Sequence, residues 1–77
     1  METMVLLDSI DKVKKFVSIA EKFDEKMDLI CGRNTFNAKS IISVFNMDLA
    51  RPFTLRIYEN GRNTENIMEA LREYIVD

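Results

Sequence analysis

Strict alternation of apolar and polar side chains between residues 53 and 58 sets the first requirement for the fold. Phe53, Leu55 and Ile57 would share one face of a strand, and the residues between and after them would share the other. A strand with one apolar face needs another element to cover that face. Pro52, which has no backbone N–H, suits the start of such a strand. We therefore expect a half-buried sheet with at least one amphipathic element packed against it.

The first covering element is an amphipathic helix of about three turns. Asp8 and Ser9 provide its start, and Asp11 places a negative charge in the first turn, where it suits the helix dipole. Apolar residues then recur at spacings of three and four and form a buried stripe, with Phe16 and Phe23 on its flanks: Ile10, Val13, Val17 and Ala20. This helix can cover the apolar face of the sheet.

Three more strands are predicted in the first half of the chain. The apolar run at residues 4–7 suits a buried strand. Residues 27–31 and 35–38 predict two strands, and Gly32-Arg33-Asn34 predicts the hairpin between them, because Gly and Asn tolerate positive φ. The side chains of Arg56 and Tyr58 would be solvated on the outer face of the sheet.

Two more helices complete the order. Ser40 would cap a helix of about seven to nine residues, because its hydroxyl can accept a backbone N–H of the first turn. After a turn at Asn60-Gly61, Asn63 or Thr64 would cap a last helix with the apolar stripe Ile67, Met68, Leu71 and Ile75. The order β-α-β-β-α-β-α predicts an α+β fold with helices on one face of an antiparallel sheet, as a single domain over residues 1–77.

Composition argues against several functional classes. The net charge of −2, with lysines interleaved among carboxylates, is not that of a nucleic-acid-binding surface. No apolar run is long enough for a transmembrane helix, and the single Cys31 fits a reducing cytoplasm. The chain has no histidine, which removes the commonest proton shuttle and metal ligand. We therefore expect a cytoplasmic protein that is not an enzyme and has no metal site or cofactor.

Residues 37–41, Asn-Ala-Lys-Ser-Ile, resemble the regulatory-serine motif of the HPr family, the small phosphocarriers of the bacterial sugar phosphotransferase system. The resemblance continues without a gap through residues 55–57 to residues 69–71. Towards the N-terminus it runs through residues 28–29 to residues 16–23. It implies an open-faced β-sandwich with strand order 1-4-2-3 and three helices on one face.

The resemblance also shows a departure from the family. HPr proteins accept phosphate from enzyme I on a histidine at the start of the first helix, held by a neighbouring arginine. Counted without gaps from Ser40, the histidine position falls on Ser9, the arginine position on Asp11 and a following proline on Lys12. A hydroxyl needs a base to become a nucleophile, and a carboxylate repels phosphate. Ser9, Asp11 and Lys12 would thus form a degenerate phosphocarrier site, unless Ser9 only caps the helix.

The Ser40 region carries the functional hypothesis. The resemblance implies that Ser40 is phosphorylated by an HPr kinase/phosphorylase-like enzyme, and the alternative is that Ser40 is a cap alone. A short helix cannot bury all its apolar side chains on one side. The resemblance places Ile42 and Phe45 in the family's apolar contact patch and implies that Val44 points into the core. We therefore expect a protein-binding patch of Lys39, Ile41, Ile42 and Phe45, which Met47 would join, and the alternative is a larger core.

Three functions remain open. The first is a non-catalytic, HPr-like regulatory module, similar to the catabolite-repression paralogue of HPr, which also lacks the histidine. Its partners would be a kinase/phosphorylase and a transcription regulator of the catabolite-control type. The second is a phosphotransferase-system phosphocarrier that uses Ser9. The third is a structural or assembly unit in which neither serine is modified.

Overall fold

The computed structural model describes residues 1–58 and 63–76. Its strands and helices follow the predicted order, with a short 3₁₀ helix after the last α-helix. They are β1 (Glu2–Val5), α1 (Ile10–Ala20), β2 (Met27–Cys31), β3 (Asn34–Asn37), α2 (Ile41–Phe45), β4 (Phe53–Ile57), α3 (Thr64–Ala70) and the 3₁₀ helix Arg72–Tyr74.

The strands form one antiparallel sheet in the order β1-β4-β2-β3. Leu55 in the central strand β4 lies opposite Thr3 of β1 and Leu29 of β2, and Leu29 lies opposite Phe36 of β3. This register places the apolar face of β4 in line with that of β2, as the alternation predicts. The α+β class and the strand order 1-4-2-3 are therefore confirmed.

The core lies between this apolar face and the helices. Phe53, Leu55 and Ile57 of β4 are buried, whereas Thr54 and Arg56 between them are partly exposed. Other fully buried apolar residues are Val13, Phe16 and Ala20 of α1, Met27 and Leu29 of β2, Val44 of α2, Ile67 of α3, and Leu71, which follows α3. The predicted amphipathic helices thus cover the sheet.

The β2–β3 hairpin has a loop of two residues, because Cys31 pairs with Asn34. Gly32 has φ +59, a conformation that residues with a Cβ rarely adopt. The predicted hairpin is therefore present, but β3 begins one residue earlier than expected. β1 is also earlier than expected, at residues 2–5, while Leu7 is buried beyond its end.

Ile10 corrects the predicted stripe of α1, because 57% of its surface is exposed. It is the first residue of the helix, and helical side chains lean towards the N-terminus. The side chain of a first residue therefore extends past the helix end instead of onto the sheet. Val13, Val17 and Ala20 are buried as predicted.

The C-terminal segment differs from the prediction in its last turn. α3 ends at Ala70, and Ile75 follows the 3₁₀ helix and forms a bridge with Val5 on the outer edge of β1. Asn63 occupies the N-cap position of α3 but makes no side-chain cap hydrogen bond. The turn predicted at Asn60-Gly61 lies outside the described residues. Within residues 1–58 and 63–76, no helix has both the length and the apolar character required to cross a bilayer.

Candidate functional site

Ser40 caps α2 as the sequence predicts. Its backbone is extended, with φ −108 and ψ 109, and its hydroxyl oxygen accepts the N–H of Ser43 at 3.3 Å. Its carbonyl accepts the N–H of Val44 at 3.0 Å, which closes the first helical turn. The helix has five residues instead of the expected seven to nine, and its first turn contains no acidic side chain. The Ser40 side chain is partly exposed at this helix start.

The residues of α2 divide between two sides. Val44 is fully buried, and Ile41 is partly buried and packs against the core. Ile42 is 74% exposed and Phe45 is 44% exposed. Residues three apart lie on the same side of a helix, so Ile41 and Val44 anchor α2 while Ile42 and Phe45 face away from the core together. We call Ile42 and Phe45 the α2 apolar surface.

Met47 is not available to this surface. Only 8% of its area is exposed, and it belongs to the hydrophobic core, which corrects the expectation that it joins the patch. The reason is that α2 ends at Phe45, after which the N–H of Met47 donates to the carbonyl of Val44 at 3.1 Å. This turn directs the Met47 side chain back into the core.

Lys39 links the start of α2 to the end of α1. Its ammonium donates a hydrogen bond to the carbonyl of Phe23, and its backbone N–H donates to Oδ1 of Asn37 at 2.9 Å. The Lys39 head group is therefore held at the Phe23 carbonyl instead of extending into solvent. Lys39 directly precedes Ser40, the predicted phosphorylation position, in the sequence.

Ser9 caps α1 with the same geometry. Its backbone is extended, with φ −148 and ψ 158, and its hydroxyl accepts the N–H of Lys12 at 3.2 Å. Among the described residues, that amide is the hydroxyl's hydrogen-bond partner, and no side chain contacts it as a base. The cap interpretation of Ser9 therefore has direct geometric support.

The charges around Ser9 leave a net negative charge at the start of α1. The Lys12 ammonium lies 2.9 Å from Oδ1 of Asp8, and this hydrogen bond holds the pKa of Asp8 below its usual value. Asp11 adds a second carboxylate in the first turn. The helix start thus carries two carboxylates and one lysine, and the lysine is already paired. Asp8 and Asp11 would repel a phosphate placed here.

The two capping serines lie at opposite ends of α1. Lys39 and Ser40 are tied to its C-terminal end through Phe23, whereas Ser9, Asp11 and Lys12 form its N-terminal end. Eleven residues at a rise of about 1.5 Å separate the ends by about 16 Å along the axis. The predicted sites at Ser9 and Ser40 are therefore separate in the structure.

Sequence reasoning missed a polar network on the open face of the sheet. The hydroxyl of Tyr58 donates to Oδ2 of the buried Asp28 at 3.0 Å, and the Lys26 ammonium lies 4.8 Å from the centre of the Tyr58 ring. Arg56 pairs with Glu2 at 2.7 Å. The alternation of β4 placed Arg56 and Tyr58 outward, but it carried no information on their partners in other strands. These side chains are therefore paired instead of merely solvated.

Metal binding has no support in the described part of the chain, where no group of three His, Cys, Asp or Glu residues could hold an ion.

Comparison with known proteins gives a family match. The model of the family described as "PTS HPr component phosphorylation site" matches residues 12–77. The match includes Lys12 and the whole Ser40 region but neither Ser9 nor Asp11. No curated protein matches the chain by sequence.

Solved structures of several bacterial proteins have the same fold. HPr-C-His from Thermoanaerobacter tengcongensis aligns with a TM-score of 0.77 at 20% identity, covering 95% of this chain and 88% of that one. The histidine-containing phosphocarrier protein of Mycoplasma aligns with a TM-score of 0.75 at 15% identity, covering 95% and 89%. The catabolite repression containing protein Crh of Bacillus subtilis, described as a swapped dimer, aligns with a TM-score of 0.63 at 20% identity, covering 97% and 88%.

Proposed function

The chain belongs to the HPr family of the phosphotransferase system, whose model matches residues 12–77, and we propose that it is a non-catalytic module that binds protein partners through the α2 apolar surface. Its partners would be an HPr kinase/phosphorylase-like enzyme, a transcription regulator or another protein of the phosphotransferase system. The exposure of Ile42, at 74%, is the observation that carries this proposal.

Folding alone does not account for Ile42 and Phe45. Ile41 and Val44 already attach α2 to the core, and the Lys39 contact fixes its start. Two large apolar side chains on the outer side of the same short helix form a compact contact area beside polar Asn46. Apolar groups grouped in this way are typical of surfaces that bury themselves against another protein.

Phosphorylation of Ser40 would control this surface. A phosphate brings roughly −1.5 to −2 charges and three acceptor oxygens to the residue that starts α2. The helix places Ile42 and Phe45 two and five residues later, within the reach of that charge. No carboxylate lies in the first turn to oppose the phosphate, and Lys39 lies next to it. The added charge would favour partners with basic surfaces and disfavour acidic ones.

Direct binding to purified candidates tests the docking surface. We expect Ile42→Ala and Phe45→Ala to weaken binding to a phosphotransferase-system protein or catabolite-control regulator by tenfold or more, the effect of about 1.4 kcal/mol. Met4→Ala is the matched control, because Met4 is also an exposed apolar residue but lies opposite Thr54 on the open face of the sheet. Equal binding by all three variants would contradict the α2 surface and favour a structural role.

A kinase assay tests the control separately. The chain is incubated with an HPr kinase/phosphorylase and ATP, and its intact mass is measured. We expect one phosphate on the wild type and none on Ser40→Ala, with Ser9→Ala as the matched capping-serine control that is still modified. A wild type that stays unmodified, under conditions that modify a histidine-bearing HPr, would refute regulation by phosphorylation. It would not contradict the proposed docking surface.

A further inference from the structure

A cavity lies on the side of the molecule formed by α1 and the 3₁₀ helix. It has a volume of about 310 Å³ and is open to solvent. Its walls come from two segments that are far apart in the sequence, and none of its residues belongs to the α2 apolar surface or to the Ser9 end of α1. The lining residues are Lys14, Lys15, Ser18, Ile19, Glu73 and Tyr74.

The cavity carries unpaired charge. Among the described residues, Lys14 and Lys15 form no ion pair, although Lys12 on the same helix pairs with Asp8. Glu73 on the opposite wall also forms no ion pair within the described part of the chain. Two free ammonium groups against one carboxylate leave the cavity with a net positive charge, which attracts an anion.

The floor of the cavity is apolar. Ile19 and the Tyr74 ring provide apolar surface, and the ring is held by an edge-to-face contact with Phe16 at 5.7 Å between centroids. Tyr74 is only 2% exposed, and its hydroxyl has no hydrogen-bond partner in the described structure. Burial, with a contribution from the Glu73 carboxylate, raises the pKa of Tyr74 to about 12. The hydroxyl is itself buried, so it is not exposed to a ligand in the cavity.

We propose that this cavity binds a small organic carboxylic acid with an apolar body. The carboxylate would lie between Lys14 and Lys15, and the body would cover Ile19 and the Tyr74 ring. A carboxylate oxygen would also accept a hydrogen bond from the Ser18 hydroxyl. Ligand pockets generally span roughly 300–1,000 Å³, so this cavity suits a molecule about the size of benzoate.

Three probes of one shape and different charge test the ligand class. Benzoate, benzamide and benzylamine are titrated into the full ¹⁵N-labelled chain, and amide shifts are followed by NMR. We expect saturable shifts confined to the α1 and 3₁₀ residues that line the cavity, with benzoate tighter than benzamide by about threefold or more and benzylamine weakest. Shifts that do not saturate, that spread over all lysines, or that follow inorganic phosphate equally would overturn the proposal.

Charge variants should change benzoate affinity in opposite directions, which a surface that binds benzoate non-specifically would not show. Lys14→Gln and Lys15→Gln are each expected to weaken benzoate binding by about threefold, and Glu73→Gln to strengthen it by a similar factor. Lys22→Gln is the matched control, because Lys22 is an exposed lysine that follows the same helix but does not line the cavity. An equal effect of the Lys22 and Lys14 variants, or no effect of Glu73→Gln, would contradict the assigned roles.

Tyr74→Phe separates binding from folding. It removes a buried hydroxyl and keeps the ring, so we expect unchanged benzoate affinity and no loss of stability to urea. Weaker benzoate binding by a variant of unchanged stability would show that the hydroxyl reaches the ligand, and it would contradict the assignment of the carboxylate to Lys14, Lys15 and Ser18.

Discussion

Separate alanine substitutions of Val44 and Ile42 would measure whether α2 is anchored from one side only. Val44 is fully buried, so Val44→Ala removes two methyl groups from the core. Lost burial is about 0.8 kcal/mol for each carbon, and the cavity that remains adds to this. We expect the free energy of unfolding to fall by about 2–3 kcal/mol.

Ile42→Ala removes three carbons, but Ile42 is 74% exposed in the folded chain. Only about a quarter of the transfer free energy is therefore lost, roughly 0.6 kcal/mol. Alanine is the better helix former, by about 0.4 kcal/mol, which offsets most of that loss. We expect a change in the free energy of unfolding of less than about 0.5 kcal/mol.

Urea unfolding followed by far-ultraviolet circular dichroism, with an m-value shared between the variants, measures both changes. The two substitutions lie two residues apart on one helix, so errors common to the method largely cancel. A loss above about 1.5 kcal/mol for Ile42→Ala would show that Ile42 supports the fold. The α2 apolar surface would then lose its physical basis, because its exposure would not describe the chain in solution.

Three other perturbations test separate parts of the structure. Gly32→Ala should lower the free energy of unfolding by about 1 kcal/mol in urea, because Gly32 has φ +59, whereas an unchanged midpoint would refute the left-handed turn. Lys12→Met should raise the pKa of Asp8 towards its usual value in a carboxyl NMR titration, and an unchanged pKa would contradict the ion pair. Because the pKa of Asp8 is lowered in the folded chain, the Lys12 contact stabilises the fold above the ordinary pKa range of aspartate, and this stabilisation is lost as the pH falls through the lowered pKa. The pKa of Tyr74 is raised from 10.0 to about 12, so between these pH values Tyr74 is protonated in the folded chain and ionised in the unfolded chain. The free energy of unfolding should therefore fall as the pH rises from about 10 to 12. Tyr74→Phe should reduce this fall in alkaline unfolding curves, and an identical pH dependence of the variant would refute the raised pKa.

The sheet and helices could be predicted because their signals are local. The alternation of Phe53, Leu55 and Ile57 specifies a strand with one buried face, and β4 has that face in the structure. The spacing of Val13, Val17 and Ala20 likewise specifies the buried side of α1. Strand order is not a local property, and it was predicted only through the resemblance to HPr proteins.

Element ends account for most of the errors. Ile10 is the first residue of α1, and Met47 lies just after the end of α2. At such positions the burial of a side chain depends on the direction of the chain and not on helical spacing. Periodicity assigns both residues to a side of an ideal helix, and neither follows that assignment. The length of α2 was also overestimated, although Asn46, which directly follows its last residue, is of a residue type that commonly ends helices.

The cavity at Tyr74 could not be predicted from the sequence. Its walls combine Lys14 and Ser18 on α1 with Glu73 and Tyr74 on the 3₁₀ helix. No motif joins segments so distant, and Tyr74 by itself resembles an ordinary core aromatic. The Ser40 cap was predictable because a capping serine and its amide partner are three residues apart.

Ser9 and Ser40 show why a cap motif alone does not select a phosphorylation position. Each hydroxyl accepts the backbone N–H of the residue three positions later in the chain, at 3.2 Å for Ser9 and 3.3 Å for Ser40. A phosphate at Ser9 would be repelled by the Asp11 carboxylate in the first turn. It could pair with Lys12 only by competing with Asp8, which already holds that ammonium. A phosphate at Ser40 would meet no first-turn carboxylate, and the preceding residue, Lys39, has an ammonium whose present partner is a neutral carbonyl. The charges around the two caps, and not the caps themselves, would therefore disfavour a phosphate at Ser9 more than one at Ser40.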